Sequence, residues 1–255
     1  MKTEQKWRIG DCLQLLPEIP DKSIDMILTD LPYGYTPCKW DKVINLDKLW
    51  VQYKRIIKDG CVICLTANQP FTSKLVVSNL DMFKYEFIWK KEMGTNFLNA
   101  KIQPLRKHEN ILVFYNPPIK CYNPQMIQGK PYTRGTKGTE IRKASNSSTN
   151  ETIKKPIYSD GMRYPSTIIE IPNSNHGSLH ETQKPVPLFE YLIKTFTNEG
   201  DVVHDSCVGS GTTLEACKNL NRGCIAFEFS NAWENDYHKR LRLDNTKSDA
   251  FNTIA

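Results

Sequence analysis

Short apolar runs of the strand type alternate with amphipathic stretches along the first half of the chain. The runs IDMIL, CVICL, YEFIW and ILVFY lie between positions 24 and 115. The stretches between them, such as NLDKLWVQYKRIIK, repeat apolar residues at helical spacing. This alternation is typical of βαβ units around a parallel sheet. We therefore predict an α/β fold with a mostly parallel twisted sheet and helices on both faces.

The pattern disappears after residue 115 and returns at Pro185. The intervening text is rich in Pro, Gly, Ser, Thr and Asn and has little periodicity, which favours an irregular insertion. After Pro185, PVPLFEYLIKTF predicts a helix, and it is followed by the strand DVVHD, the helix TTLEACKNL and the strand GCIAFE. The predicted division is a single domain made of 1–115 and 179–240, an insertion at 116–178 and a polar tail at 241–255.

Positive charge is concentrated in the same insertion. The formal net charge is +6, and residues 116–165 alone contain nine basic and three acidic residues. No apolar run exceeds five residues, so we expect a cytoplasmic protein with no membrane partner. The eight cysteines lie mostly within or beside apolar segments, which favours reduced thiols. CVIC has no second cysteine pair at zinc spacing, and we predict no metal site.

A glycine-bearing turn joins a strand to a helix near the carboxyl end. In VVHDSCVGSGTTLEACKNL, Gly209 and Gly211 allow a sharp turn and a close approach to a ligand, and a helix N-terminus follows. A dinucleotide fingerprint would need Gly or Ala where Leu214 stands, and a phosphate loop would need Lys where Thr212 stands. Glu228 ends the next strand and could accept both ribose hydroxyls. The pattern favours a nucleoside site, and an ordinary tight turn is the alternative.

The stretch ILTDLPYGY places a carboxylate, a proline and an aromatic ring directly after a predicted strand. Asp30 stands at the carboxyl edge of the sheet, where open α/β folds bind ligands. Pro32 fixes its own φ and pushes Leu31 into an extended conformation. The Asp30 carboxylate and the Leu31 carbonyl then offer two acceptors beside the ring of Tyr33. This corner suits an exocyclic amino group on a planar base, although a simple Pro-Tyr turn would have the same sequence.

Four segments, taken in order, resemble those of S-adenosylmethionine-dependent DNA amino-methyltransferases in which the catalytic motif precedes the cofactor motif. DLPY at 30–33 is similar to the family's Asp-Pro-Pro-Tyr motif, and DSCVGSGTT at 205–213 is similar to its cofactor loop. HENILVF at 108–114 and HETQKPVPLFEYLI at 180–193 resemble segments that lie between those two. The resemblance spans most of residues 9 to 230 and implies a Rossmann-like methyltransferase fold.

The chain departs from the family pattern at three positions. Leu31 replaces the first proline of the catalytic motif, which leaves its carbonyl available but makes the corner less rigid. Ser206 and Cys207 replace Pro and Phe in the cofactor loop, so the usual aromatic contact with the cofactor must come from another residue or be absent. Neither departure removes a reacting group.

The resemblance implies direct methyl transfer to an amino nitrogen. Asp30 and the carbonyl of Leu31 are then expected to accept the two amino hydrogens, at a corner fixed by Pro32. Tyr33 is expected to support a base that has left the helical stack. Asp at the head of the motif favours adenine N6, and cytosine N4 is the nearest alternative. RNA or protein-glutamine methylation and a non-catalytic DNA-binding role are further alternatives.

S-adenosylmethionine is the cofactor that the resemblance implies. The glycine turn and Asp205 are expected to approach its methionine portion, and Glu228 its ribose. Asp11, in GDCL, is an equally good candidate for a helix cap. The expected cofactor-binding residues are Asp11, Lys184, Asp205, Cys207, Gly209, Ser210, Gly211, Thr212 and Glu228.

The basic insertion occupies the place of the family's target-recognition region. Its basic side chains are expected to neutralise phosphates of double-stranded DNA, with binding that weakens as salt rises. A solvated charged loop is the ordinary alternative. The candidate DNA-binding residues are Lys130, Arg134, Lys137, Arg142 and Lys143. A homodimer and a cognate restriction endonuclease are further partners that membership of the family would suggest.

Overall fold

The computed structural model describes residues 3–35, 41–134, 157–173 and 183–241. The strands are β1 (Gln5–Ile9), β2 (Ile24–Thr29), β3 (Ile57–Ala67), β4 (Phe83–Thr95), β5 (Arg106–Phe114), β6 (Ile127–Gln128), β7 (Tyr132–Arg134), β8 (Ile157–Ser159), β9 (Met162–Arg163), β10 (Ile168–Glu170), β11 (Val202–Asp205) and β12 (Gly223–Glu228). The α-helices are α1 (Cys12–Leu15), α2 (Leu46–Ile56), α3 (Phe71–Ser78), α4 (Val186–Phe196), α5 (Thr212–Asn219) and α6 (Glu234–Leu241). Short 3₁₀ helices cover Leu16–Glu18, Phe97–Asn99 and Asn231–Trp233.

Eight strands form one sheet in the order β1-β12-β11-β2-β3-β5-β4-β10. Strand β5 runs antiparallel to both of its neighbours, β3 and β4, and the other pairings in this sheet are parallel. All six residues of β2 are buried, as expected for a central parallel strand covered on both faces. The predicted α/β class with a largely parallel sheet is confirmed.

Both faces of the sheet are covered by helices. One core contains Leu192 of α4 and Leu214 of α5, together with Tyr237 of α6. The opposite core contains Tyr53 of α2 and Leu75 of α3. Each such fully buried side chain contributes about 1.5–3 kcal/mol relative to its exposed state.

The two longest helices follow directly from the sequence pattern. Helix α2 begins after Asn45, whose side chain accepts a hydrogen bond from Lys48 N at 3.0 Å, and it buries an i, i+4 stripe. Helix α4 begins after Pro185 and has Pro187 in its first turn, where a missing N–H costs nothing. Both helices lie where the periodicity predicts them.

The chain divides into two compact units. The larger unit contains Met1–Asn123 and Thr167–Ala255, and the smaller unit contains Pro124–Ser166. Within the smaller unit, β6 pairs with β9 and β7 pairs with β8, both antiparallel. Within the larger unit, β10 adds to the main sheet beside β4. The boundaries predicted for the insertion, 116–178, stay a prediction.

No helix in the described parts of the chain combines the length and the apolarity that crossing a lipid bilayer requires.

Candidate active site

The two predicted motifs meet at one edge of the sheet. Strands β2 and β11 are parallel neighbours, with Ile27 paired to His204. Asp205 ends β11 and Asp30 follows the end of β2, so both carboxylates leave the sheet at the carboxyl edge of adjacent strands. Glu228 ends β12, which is the other neighbour of β11. The edge therefore combines Asp30 with the residues predicted to hold the cofactor.

Three donors from three segments hold the Asp30 carboxylate. Its Oδ2 accepts from Lys184 Nζ at 2.6 Å, and its Oδ1 accepts from the Tyr33 hydroxyl at 2.7 Å and from the hydroxyl of Thr66, near the end of β3. A carboxylate has about four lone-pair positions. Since these three donors are its partners among the described residues, one acceptor position remains on Oδ2. The carboxylate is fixed in direction and can still accept a substrate hydrogen.

Lys184 links Asp30 to a second buried ion pair. Its Nζ lies 3.3 Å from Glu109 Oε2, and Glu109 Oε1 accepts from Lys91 Nζ. Lys184, Glu109 and Lys91 each expose less than a tenth of the side chain. Paired charges are the arrangement in which buried ionic groups are tolerated.

The charges of this network are set by competition between burial and pairing. Burial acts to lower the pKa of Lys184, but the Asp30 and Glu109 carboxylates outweigh it and hold that pKa well above its usual value. Burial likewise acts to raise the pKa of Glu109, but the ammonium groups of Lys184 and Lys91 lower it. Lys184 therefore stays an ammonium group and Glu109 a carboxylate at neutral pH.

The corner after β2 is packed as well as hydrogen-bonded. Leu31 is 2% exposed and belongs to the apolar core that also contains Leu65. The ring of Tyr33 lies 5.4 Å from that of Phe71, and Lys184 Nζ lies 5.8 Å from the Tyr33 ring centroid. Burial, followed by the Asp30 charge, raises the pKa of the Tyr33 hydroxyl well above its usual value, which keeps it a proton donor to Asp30. Leu31 thus anchors the corner where the family has proline.

The glycine turn before α5 needs glycine for two different reasons. Gly209 (φ +51°) and Gly211 (φ +89°) both have left-handed backbone. A Cβ on Gly211 would lie 2.9 Å from Tyr237 Cδ1, so α6 packs against the bare backbone there. Beyond Gly209 no heavy atom lies within 4 Å of the corresponding position. Open space therefore faces Gly209, while the Tyr237 hydroxyl holds the turn from behind by donating to Gly209 O at 2.7 Å.

Acidic side chains flank this turn on both sides. Glu228 Oε2 accepts from Gly209 N at 2.9 Å, and its Oε1 accepts from Ser230 N at 3.0 Å. Asp205 accepts from Cys207 N at 3.0 Å and from the Thr213 hydroxyl, and its burial raises its pKa to about 6. The open space at Gly209 therefore lies beside the Glu228 carboxylate, and the buried Asp205 supports the turn from within. That these residues hold the cofactor stays a prediction.

The remaining cofactor candidates lie around the same turn. The Thr212 hydroxyl donates to Lys184 O at 3.2 Å, and the Ser210 hydroxyl donates to the Gln183 side chain at 3.2 Å. The start of α5 is thereby tied to the backbone of the residue that holds Asp30. A hydrogen bond with the Cys12 thiol, together with burial, raises the pKa of Cys207. Asp11 Oδ1 accepts from Leu13 N at 2.9 Å and caps α1.

The predicted DNA-binding residues lie mostly beyond what the structure describes. Lys137, Arg142 and Lys143 are outside the described residues, and Arg134 ends β7. The carbonyl of Lys130 accepts from Arg163 at 2.8 Å. DNA binding by these residues stays a prediction.

Sequence reasoning missed three residues of the network at Asp30. Thr66 and Lys91 gave no signal, because each stands in or beside an ordinary strand pattern. Glu109 did give one, since it is an acid two positions before the apolar run ILVF, in the segment HENILVF. An acid that a strand pattern places among buried residues is a candidate for a functional site.

The chain is similar to known DNA methylases in sequence and in fold. A family model described as DNA methylase matches residues 24–237. The type II methyltransferase M.HpaI of Haemophilus parainfluenzae is 27% identical over 253 residues, which cover 93% of this chain and 74% of that protein. M.BglII of Bacillus subtilis is 26% identical, over 84% of this chain and 62% of its own length, so the chain spans less than two thirds of that relative.

Two solved structures have the same fold. The PvuII DNA methyltransferase (cytosine-N4-specific) has a TM-score of 0.67 and 17% identity, covering 97% of this chain and 89% of that one. The M1.HpyAVI–SAM complex has a TM-score of 0.62 and 22% identity, covering 93% and 99%. The fold is therefore the Rossmann-like fold of DNA methyltransferases. Because the family model matches most of this chain, the chain belongs to the N6-adenine/N4-cytosine DNA methyltransferase family, whose cofactor is S-adenosylmethionine.

Proposed function

We propose that the protein methylates the N6 nitrogen of adenine in double-stranded DNA, acting on a base flipped out of the duplex. The observation that carries this proposal is the Asp30 carboxylate, held by three donors with one acceptor position left, at the same sheet edge as the open space beyond Gly209. The choice of adenine rests on the resemblance, since Asp stands at the head of the catalytic motif.

The chemical task is to make a weak nucleophile attack. The lone pair of an exocyclic amine is delocalised into its ring, and two acceptors for the amino hydrogens favour a pyramidal nitrogen. We assign these roles to Asp30 Oδ2 and to the Leu31 carbonyl. Because Lys184 and Tyr33 fix the carboxylate before substrate arrives, little reorganisation is needed at the moment of transfer.

The cofactor is assigned to the glycine turn. When bound, S-adenosylmethionine supplies an electrophilic methyl group on its sulfonium. Glu228 would hold the ribose hydroxyls, and Asp205 with the backbone of Gly209 and Gly211 would hold the methionine portion. Lys184 is assigned to Asp30 rather than to the cofactor, because its ammonium lies 2.6 Å from that carboxylate.

The wider role is proposed from the relatives. M.HpaI and M.BglII are named type II methyltransferases, which suggests a place in restriction and modification with a cognate endonuclease. We assign the basic residues of the insertion to the phosphates of the target duplex and the site of action to the cytoplasm.

The experiment is methyl transfer to unmodified genomic DNA, followed by detection of modified bases at single positions. We expect N6-methyladenine in one sequence context. Asp30→Ala should lower turnover by about 100- to 1000-fold, as loss of an oriented transition-state partner does, with cofactor binding retained. Asp59→Ala, at a carboxylate that is 94% exposed, is the control. N4-methylcytosine in the product would overturn the base assignment, and undiminished turnover in Asp30→Ala would overturn the mechanism.

A further inference from the structure

The hairpin between β4 and β5 exposes apolar side chains at its end. We call residues 93–107 the hairpin tip. Within it Leu98 is 100% exposed, Ile102 is 83% exposed and Phe97 is 59% exposed. Exposed apolar groups clustered in so short a segment mark a contact surface more often than chance.

The hairpin tip extends from the catalytic edge of the sheet. Asn110 of β5 pairs with Ala67, the last residue of β3, and Glu109 next to it contacts Lys184. The pair Thr95–Arg106 lies three residues beyond Glu109 along β5, which is about 10 Å. The tip therefore lies beyond the ends of the parallel strands, on the side of the molecule where Asp30 accepts its substrate.

Backbone and amide contacts hold the shape of the tip without its exposed side chains. Asn96 has left-handed backbone (φ +72°), and its side chain accepts from Asn99 Nδ2 at 2.8 Å across the 3₁₀ turn. Ile102 N donates to Asn99 O at 2.9 Å. Leu105 packs so closely on Gly94 that an added Cβ there would lie 2.8 Å from it. The turn presents Phe97, Leu98 and Ile102 to solvent, and their substitution should leave it folded.

Within the hairpin tip all charged side chains have one sign, and the exposed Glu92 stands just outside it. Residues 93–107 contain three basic residues, Lys101, Arg106 and Lys107, and no acidic residue. All three are exposed, and none has an ion-pair partner within the described residues. Apolar groups flanked by uncompensated positive charge match the surface of a nucleic acid, in which stacked bases lie between phosphates.

We propose that the hairpin tip is a DNA-contacting wedge that stabilises the duplex after the target base has left it. Phe97, Leu98 and Ile102 fill the gap in the stack, and Lys101, Arg106 and Lys107 neutralise the adjoining phosphates. Apolar wedges of these residue types offset the unstacking of a base step in proteins that open or bend DNA. The inference rests on the base extrusion in the proposed function, but not on the identity of the base.

The wedge is tested by a variant with Phe97→Ala, Leu98→Ala and Ile102→Ala. The substrate is a duplex with the sequence that the wild-type protein methylates, with the target base either paired or opposite an abasic position. We expect the single-turnover rate to fall by at least about 10-fold on the paired duplex and by far less on the abasic one, where extrusion costs less. The control is Val77→Ala with Leu80→Ala, which are comparably exposed but lie before the other end of β4.

The flanking charges are tested by Lys101→Gln, Arg106→Gln and Lys107→Gln together. DNA affinity should fall, and the slope of log Kd against log salt concentration should become shallower by about 2 to 3, roughly one for each lost phosphate contact. The control is Lys74→Gln, at an exposed lysine on α3. It should change the DNA affinity and the salt slope by no more than the loss of one phosphate contact does.

Three results would overturn the proposal. Equal loss on the paired and abasic duplexes would mean that the tip does not fill the gap, and unchanged rates would mean that it does not reach DNA. A wedge variant that changes only the sedimentation coefficient would assign the surface to a second copy of the chain. Methylation of cytosine instead of adenine would contradict the base assignment alone, because both duplexes are built on whichever base the wild-type protein methylates.

Discussion

Lys184 illustrates how a single residue can link two sites. Its side chain contacts the Asp30 carboxylate and its carbonyl accepts from Thr212 at the start of α5. Removing one member of a buried ion pair leaves its partner desolvated and unpaired, which is costly. The position of Asp30 should therefore depend on Lys184, and through it on Glu109.

Lys184→Met should lower kcat while leaving cofactor binding intact. The substitution keeps most of the side-chain volume but removes the ammonium that fixes Asp30 Oδ2, and a small misplacement of a reacting group costs about 100-fold in rate. We expect kcat to fall by about that factor and the Kd for S-adenosylmethionine to change by less than about 10-fold, or 1.4 kcal/mol. Single-turnover kinetics and calorimetric titration measure the two quantities.

Lys90→Met is the matched control, because Lys90 forms an exposed ion pair with Glu170 on the neighbouring strand. Such surface pairs contribute little. If Lys184→Met instead weakens cofactor binding with kcat preserved, the residue belongs with the cofactor, as its place in the family motif first suggested.

At the scale of elements, the turn into α5 combines structural and functional requirements for glycine. We predict that Gly209→Ala will weaken cofactor binding by about 10-fold or more, since its methyl group would enter the open space opposite the turn. The cost to folding should be modest, about 1–2 kcal/mol for left-handed backbone. Equilibrium binding and urea unfolding separate the two effects.

Gly200→Ala supplies the comparison for that prediction. Gly200 also has positive φ (+88°) and no heavy atom within 4 Å of an added Cβ, but it lies before β11, at the opposite end of that strand. It should lose stability to a similar degree and keep its cofactor affinity. Equal affinities in the two variants would remove the cofactor from the space beyond Gly209.

The elements that could be predicted from sequence are those with a clear period. The sequence pattern alone predicts the buried strand β2, the apolar stripe of α4 and the glycine turn. Strand β10 has three residues, too few for a period, and its pairing with β4 is a tertiary event. The contact between Asp30 and Lys184 joins residues 154 positions apart, so only the folded sheet brings them together.

At the scale of the whole molecule, a buried hydrogen-bond chain connects helix α2 to strands β11 and β12. The Tyr53 hydroxyl of α2 donates to Ser206 Oγ at 2.8 Å, and Ser206 lies 2.9 Å from His204 Nε2. His204 Nδ1 lies 2.8 Å from the carbonyl of Ile225 on β12. Since a carbonyl only accepts, Nδ1 carries the proton and Nε2 accepts from Ser206. These hydrogen bonds require a neutral imidazole, and burial lowers the pKa of His204 to about 4.

The contribution of His204 to the free energy of unfolding should therefore be lost as the solution is acidified. The unfolded chain binds a proton at His204 near pH 6.5, whereas the folded chain resists until about pH 4, so this contribution is complete above pH 6.5 and is lost between those values. It amounts to about 3 kcal/mol.

Asp205 has the opposite slope, because its raised pKa of about 6 lets the folded state bind the proton first. In the wild-type protein the two effects oppose each other in the dependence of stability on pH. Because wild type and His204→Leu both contain Asp205, its effect cancels in the stability difference between them. Urea unfolding at pH 7 and pH 4.5 should show the stability difference between the two proteins shrinking by about 2–3 kcal/mol. A difference independent of pH would mean that the pKa of His204 is the same in the folded and the unfolded chain.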